Sequence, residues 1–302
     1  MLQEELESYR RVGRLLAEVR ESIKPMVKVG TKLVDIAEAA ERLIVEKGAK
    51  PAFPCNVSVN EIAAHYSPPS TDQRTVNEGD VVKVDIGAHI DGYIADTAFT
   101  VCTGGGEELA QAAERALEAA ISAVKPGIDV GEIGRAVEES VVSSGFKPIR
   151  NLTGHSLGRW DLHAGLTIPN VKETTGQILK PGDVLAIEPF VTDGAGYVED
   201  QDRVYIFRHI RDVPTRLRMS RELLREIRRE YNGLPFAERW LAKRMSRLRL
   251  ELTLRELTSL GALWPYHVLA ERSSGKVAQA EHTVIVTEQG AEVTTRLGPT
   301  AS

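Results

Sequence analysis

Cysteine is scarce in this sequence: two residues, Cys55 and Cys102, among 302. Two are too few for the disulfide framework of small exported domains, so a reducing compartment is the simpler reading and each thiol reads as a small buried hydrophobe. Cys55 comes nearest to a histidine, His65, but one such pair is weak support for a thiol enzyme. Long apolar runs are also missing, and none approaches the roughly 20 residues that a membrane-spanning helix needs. The start, Met1-Leu2-Gln3-Glu4-Glu5-Leu6-Glu7, is acidic where a signal peptide would be basic, so the expected location is the cytoplasm. An overall basic excess is lacking too. The formal net charge of -5 argues against a protein that binds nucleic acid over its whole surface. What remains is a chain long enough to bury an apolar core without staples, as one large domain or two small ones.

The charge is unevenly spread. Residues 211–256 hold 13 Lys or Arg against 7 Asp or Glu, and the rest of the chain is correspondingly more acidic. Apolar spacing predicts an amphipathic helix over 2–23, carried by Leu2, Leu6, Tyr9, Leu16, Val19 and Ile23 and ended at Lys24-Pro25. A second helix fits 33–47, with Gly48 as its stop. A loop is expected over 50–60, followed by two strands. About a hundred residues later the same order returns. Lys24-Pro25 with Val29-Gly30 answers Lys125-Pro126 with Val130-Gly131; Gly79-Asp80-Val81 answers Gly182-Asp183-Val184; Gly92-Tyr93 answers Gly196-Tyr197. Each half reads helix, helix, then a strand pair entered by a Gly-Asp turn. The fold class is therefore α+β, two related halves around one sheet-centred domain. The repeat also sets Asp85 opposite Glu188 in equivalent places, where a two-fold arrangement would bring both to a central cleft.

The runs 81–88 and 94–102 flank Ile90-Asp91-Gly92, a hairpin signal. A turn at Ile90-Asp91 makes Asp85 and Asp96 directly opposed, whereas a turn at Asp91-Gly92 makes them diagonal on one face. Either register puts them within reach of each other. Two unpaired carboxylates on a sheet interior repel and resist burial, so a metal ion between them is the economical answer; the plain alternative is a strand end where both meet solvent. Glu188 after Val184-Leu185-Ala186-Ile187, and Glu281 within Val277-Ala278-Gln279-Ala280-Glu281-His282-Thr283-Val284-Ile285-Val286, read as acids inside apolar strands, where a lone acid is seldom buried without a partner. His155, in Thr153-Gly154-His155-Ser156-Leu157-Gly158, and His163, in Asp161-Leu162-His163-Ala164-Gly165, sit beside glycines that permit close backbone approach. Four carboxylates and one imidazole make an oxygen-rich donor set, suited to manganese, iron or cobalt and unlike a thiolate structural zinc site. Carboxylates shared between two ions would activate a water for hydrolysis.

Five ordered blocks then carry a resemblance: Phe53-Pro54 with Asn56, Ser58, Asn60 and Ala63-Ala64-His65; Lys83-Val84-Asp85-Ile86-Gly87 through Asp96-Thr97-Ala98; Gly154 to Gly158 with His163-Ala164-Gly165; Ala186-Ile187-Glu188-Pro189; and Ala278-Gln279 before Glu281-His282-Thr283. Together they resemble the methionine aminopeptidases, in the type II branch, over nearly the whole chain. The resemblance implies the pita-bread fold and two divalent ions, cobalt, manganese or iron, with zinc compatible. It implies that Asp85 chelates one ion, that Asp96 and Glu281 bridge both, and that His155 and Glu188 complete the other. It implies that Glu188 accepts the proton of the attacking water and that His65 and His163 hold the scissile amide. Phe53, Leu162 and Tyr266 fall at positions resembling the methionine pocket. The implied substrate is a nascent polypeptide that begins with methionine followed by a small residue.

Residues 208–271 read as an inserted, winged-helix-like helical subdomain, with Leu223, Leu224, Ile227, Leu250, Leu254 and Leu257 as its apolar stripe and Leu234-Pro235-Phe236 and Arg239-Trp240-Leu241 as its type II pattern. The remainder, 1–207 and 272–302, is the catalytic body. The insert's Lys and Arg read as a solvated face rather than a nucleic-acid site, with proximity to the ribosome as the milder version. The form expected is the short archaeal one, acting as a monomer. A proline-directed relative, aminopeptidase P or prolidase, is the nearest rival; those carry His-Glu where this chain has His163-Ala164. A pita-bread protein that binds nucleic acid or partners without catalysis would have lost its ligands, and an insert-driven DNA-binding regulator leaves the buried acids unexplained.

Overall fold

In the computed structural model, which describes residues 3–298, the chain opens with α1 (Gln3–Ile23) and α2 (Leu33–Glu46). Leu2, assigned above to the first stripe, lies outside the described residues. α1 buries Tyr9, Val12, Leu16, Val19 and Ile23, and each such side chain removed from water is worth about 1.5–3 kcal/mol. A hairpin region follows: β1 (Lys50–Val59), β2 (Ile62–Ala64), β3 (Val81–Ile90) and β4 (Tyr93–Cys102). The sheet β1-β3-β4 carries α1 and α2 on one face, and their apolar side chains form a common core. The loop expected over 50–60 is thus mostly strand. Pro51 and Pro54 disguise it, and the pairing with β3 slips between Pro51 and Phe53 and again between Phe53 and Asn56.

The second half repeats the helical corner. α3 (Glu107–Ala123) and α4 (Gly131–Ser143) turn at Lys125-Pro126, as α1 and α2 turn at Lys24-Pro25. Then come β5 (Lys147–Pro148), β6 (Thr153–Ser156), β7 (Thr167–Pro169), β8 (Val184–Ile187), β9 (Phe190–Thr192) and β10 (Val198–His209). α5 (Arg218–Tyr231), β11 (Phe236–Ala237), α6 (Glu238–Ala242) and α7 (Arg247–Ser259) follow before β12 (Leu263–Glu271). The chain closes with β13 (Val277–Gln279), β14 (His282–Thr287) and β15 (Gly290–Val293). α3 and α4 cover the sheet β15-β14-β8-β6-β7 and share a core with it, while β13-β9-β5 and β11-β10-β12-β2 complete the architecture. This is the α+β pita-bread arrangement, with helix pairs outside and strands facing a central cleft. Leu223, Leu224, Ile227, Leu250, Leu254 and Leu257 build a separate small core among α5, α6 and α7.

A second sequence expectation also needs correction. The strand pair expected after the second Gly-Asp turn does not share a ladder: β8 and β9 lie in different sheets. The reason is Glu188-Pro189 between them, since proline has no N–H to continue a ladder.

Candidate metal centre and active site

The hairpin turns at Asp91-Gly92, with Ile90 opposite Tyr93, so Asp85 faces Ala98 and Asp96 faces Gly87. Asp85 and Asp96 are therefore diagonal neighbours on one face. Asp91 has φ 52° and Gly92 φ 87°, the left-handed pair that a two-residue hairpin turn requires.

Glu188 and Glu281 sit in breaks between strands and not inside them: Glu188 separates β8 from β9, and Ala280-Glu281 separates β13 from β14. The break beside β4 is held by threonines in place of a regular ladder. Thr283 Oγ1 donates to the Asp96 carbonyl at 2.8 Å and accepts the Asp96 N–H at 2.7 Å, while Thr97 Oγ1 donates to the Glu281 carbonyl at 2.7 Å. The Glu281 N–H reaches the Ala98 carbonyl at 3.1 Å. These bonds stitch the first half to the second and leave the Asp96 and Glu281 side chains free to converge. His155 arrives on β6, opposite Ala186 of β8.

Asp96, His155 and Glu281 come together so that one donor atom of each lies within 4.8 Å of the others. His155 Nε2 is 3.7 Å from Asp96 Oδ2 and 3.6 Å from Glu188 Oε1. Burial depresses the His155 pKa to about 3, so the ring is neutral and these approaches are not ion pairs. The acids shift the other way. Burial raises Asp85 to about 7. Burial, then the charge of Asp85, holds Asp96 well above its ordinary value; burial with Asp85 and Asp96 does so for Glu188, and burial with Asp96, Glu188 and Asp85 for Glu281. Among the described residues, Asp85 Oδ1, Asp96 Oδ1, both Glu281 oxygens and His155 Nδ1 are buried with no hydrogen-bond partner. Buried polar atoms are normally satisfied, and a cluster of orphaned carboxylate oxygens beside a neutral imidazole fits divalent cations in both charge and donor type.

These groups line one cavity of about 250 Å³, which holds every sequence-derived site residue: Asp85, Asp96, His155, Glu188 and Glu281 at the polar side, with His65, His163, Phe53, Leu162 and Tyr266 around them. His163 stacks edge-on against His155 at 4.5 Å between ring centroids. It is exposed at the cavity mouth, where the surrounding walls and the charge of Arg208 hold its pKa below the ordinary histidine value. His65 stands in a left-handed conformation, φ 63°, with Nδ1 at 3.0 Å from the His267 carbonyl and Tyr266 edge-on at 5.3 Å. A non-glycine residue held there is strained, and such strain collects at functional positions. Burial lowers its pKa as well.

Four contributors were not singled out from the sequence. Gln279 Nε2 donates to Glu188 Oε2 at 3.2 Å, and Asn56 Nδ2 approaches Asp85 Oδ2 at 3.5 Å. Ile206 and Pro235 line the cavity from β10 and from the turn before β11. Gln279 and Asn56 stood inside the quoted motif blocks and Pro235 inside the insert's Leu234-Pro235-Phe236 pattern, so a signal was present; nothing in the apolar context of Ile206 distinguishes it from core.

Acids and a neutral histidine buried together at the bottom of a cavity, with their oxygens unsatisfied, define a metal-dependent hydrolase class of site. The comparison with known proteins makes this specific. The sequence profile of Metallopeptidase family M24 matches residues 7–288, and the chain belongs to that family. A methionine aminopeptidase of Methanothermobacter thermautotrophicus is 49% identical over 294 residues, which cover 96% of this chain and 98% of that protein. Among solved structures, a methionine aminopeptidase from Thermotoga maritima superposes with a TM-score of 0.73 at 26% identity, over 98% of each chain. A prolidase from Pyrococcus furiosus, 18% identical, shares the fold with a TM-score of 0.64 over 99% of this chain and 65% of its own.

Proposed function

We propose that this metallopeptidase removes N-terminal methionine from nascent proteins and peptides whose second residue is small. The observation that carries the reading is the group of orphaned buried oxygens of Asp85, Asp96 and Glu281 opening into a cavity with apolar walls. The identity of the relatives supports methionine over proline as the residue removed, as does Ala164 after His163 in place of the His-Glu of proline-directed enzymes.

In this reading Asp85, Asp96, His155, Glu188 and Glu281 would hold two divalent ions. The oxygen-rich donor set suits manganese, iron or cobalt, and zinc is compatible. Bound there, the ions would lower the pKa of a water and offer a positive counterpart to charge growing on a carbonyl. The protein's own groups do the rest. Glu188, oriented by Gln279, takes the proton of the attacking water and returns it to the leaving amine. His163 and His65, neutral at physiological pH, line the cavity and would hydrogen-bond the scissile amide and the oxyanion of the tetrahedral species. Phe53, Leu162 and Tyr266 wall the methionine side chain, and the limited volume restricts the residue that follows. Residues 1–207 and 272–302 form the catalytic body, and 208–271 the insert, whose basic face suits a ribosome-proximal monomer.

His155→Ala and Glu188→Gln are expected to lower methionine release from Met-Ala and Met-Gly peptides by about 10²–10⁴-fold while the circular-dichroism spectrum stays that of the parent. Near-parental turnover in either variant would remove the basis for these roles.

A further inference from the structure

The inserted helices grip the catalytic body through one buried charged contact. Arg239 on α6 is 3% exposed and Glu41 on α2 is 9% exposed. Arg239 Nη1 and Nη2 donate to the two oxygens of Glu41 at 2.7 and 2.9 Å, a bidentate fork, and Trp240 Nε1 adds a third bond to the same carboxylate at 2.8 Å. The guanidinium does not stop there. Its Nε donates to the Pro68 carbonyl at 2.9 Å, and Nη2 reaches Ser67 Oγ at 3.3 Å. Glu41 Oε1 in turn accepts the backbone N–H of Cys55 at 3.1 Å. A desolvated ion pair returns in attraction about what it loses in hydration, so stability alone is a weak reason for this network. Its geometry gives a better one.

The two segments that the network holds lie where ladders slip or end, and one backbone bond, from the Val57 N–H to the Tyr66 carbonyl at 2.8 Å, also joins them. β1 slips against β3 on both sides of Phe53, and Cys55, within the second slip, sends its N–H to Glu41. Residues 65–68 follow β2 after its last ladder pair and begin with His65 in its strained conformation. Phe53 and Asn56 on the first segment, and Ala64 and His65 at the start of the second, all line the cavity. Asp85 lies opposite Asn56 on β3, and Asp96, His155, Glu188 and Glu281 come from other elements; among the described residues no hydrogen bond or ion pair joins Arg239 to any of the five.

We infer that Arg239 is a positioning residue for the substrate side of the cavity: with Glu41, it fixes Phe53 and His65 against each other and so ties the insert to substrate recognition. The inference rests on the cavity being the methionine site. The paired replacement Glu41→Met with Arg239→Met removes both charges together and so avoids a lone buried ion, while Arg239→Lys keeps the charge and loses the fork. Both are made in the full chain loaded with manganese, and kcat and KM are measured on Met-Ala-Ser alongside manganese affinity by calorimetry. KM is expected to rise about tenfold in the paired variant and less in Arg239→Lys, kcat to fall alongside it as His65 shifts, and manganese affinity to stay at the parental value. Parental KM in either folded variant overturns the inference, as does a loss of manganese affinity by the same factor as KM, which marks general loosening. Should the paired variant not fold, Arg239→Lys decides by the same readings. A parental chain that releases no methionine counts against the functional reading, whereas parental release with unmoved KM in the variants counts against Arg239.

Discussion

Glu281 is 1% exposed, and neither of its carboxylate oxygens meets a hydrogen-bond donor among the described residues. A fold does not hold such a group without compensation, because an unsatisfied buried polar atom costs about 1–3 kcal/mol and a charged one more. Asp96 Oδ1 is likewise buried without a partner; in the sequence Glu281 stood out as an acid in an apolar run, and Asp96 through its hairpin pairing with Asp85. His155 and His163 were less legible, since a histidine beside glycines is compatible with a turn, and only the motif blocks raised them above that. His65 is the residue whose role is most exposed to test. Its place beside Tyr266, away from the carboxylate cluster, predicts that His65→Ala lowers kcat by about 10²–10³-fold while metal content per chain, read by atomic emission, stays at the parental level. Loss of metal together with activity would make it a ligand or a structural prop.

At the scale of elements, the site depends on backbones packed too closely to admit a side chain. Gly154 precedes His155 on β6, and a Cβ there would lie 2.4 Å from the Ala186 carbonyl oxygen of β8. That oxygen belongs to a paired strand and cannot swing away. Gly154→Ala is therefore expected to cost about 1–3 kcal/mol in urea unfolding and to weaken metal binding by moving His155; parental stability and parental metal affinity together would contradict the account. Elements were legible where local rules suffice. The stripe of α1, the Lys-Pro corners and a hairpin around Ile90-Asp91-Gly92 each follow from spacing or from one special residue, whereas the choice of Asp91-Gly92 as the turning pair is settled only by the register of the strands. β1 was missed because its prolines and bulges imitate a loop, and the broken strands at Glu188 and Glu281 were read as continuous because apolar composition does not report where a ladder stops.

At the scale of the molecule, the two halves meet through the threonine bonds between β4 and the β13–β14 break, and the acids of both halves share one cavity. The repeat anticipated this convergence; the long-range bridge through Thr97 and Thr283 has no sequence signature, since it joins residues nearly 190 apart. Shared burial also predicts a pH dependence. A carboxyl whose folded pKa lies above its unfolded value favours the folded chain below the unfolded pKa, about 4, and that contribution is lost as pH rises through the folded value. For Asp85 the window runs from about 4 to about 7, and Asp96, Glu188 and Glu281 are shifted in the same direction. The buried histidines work in reverse, so the informative quantity is the Tm gained on adding metal. That gain is expected to grow between about pH 5 and pH 8, with protons released on binding, because His155 is already neutral and the carboxyls must deprotonate. A gain independent of pH across that range would show that the buried acids are not the ligands.

The most direct measurement follows methionine release from Met-Ala-Ser, with Pro-Ala-Ser as control, while manganese, iron or cobalt is titrated into the metal-stripped chain. The account predicts no release without metal, restoration that tracks metal bound up to two ions per chain, and no proline released. Full release from the metal-stripped chain, or preferential release of proline, would contradict it.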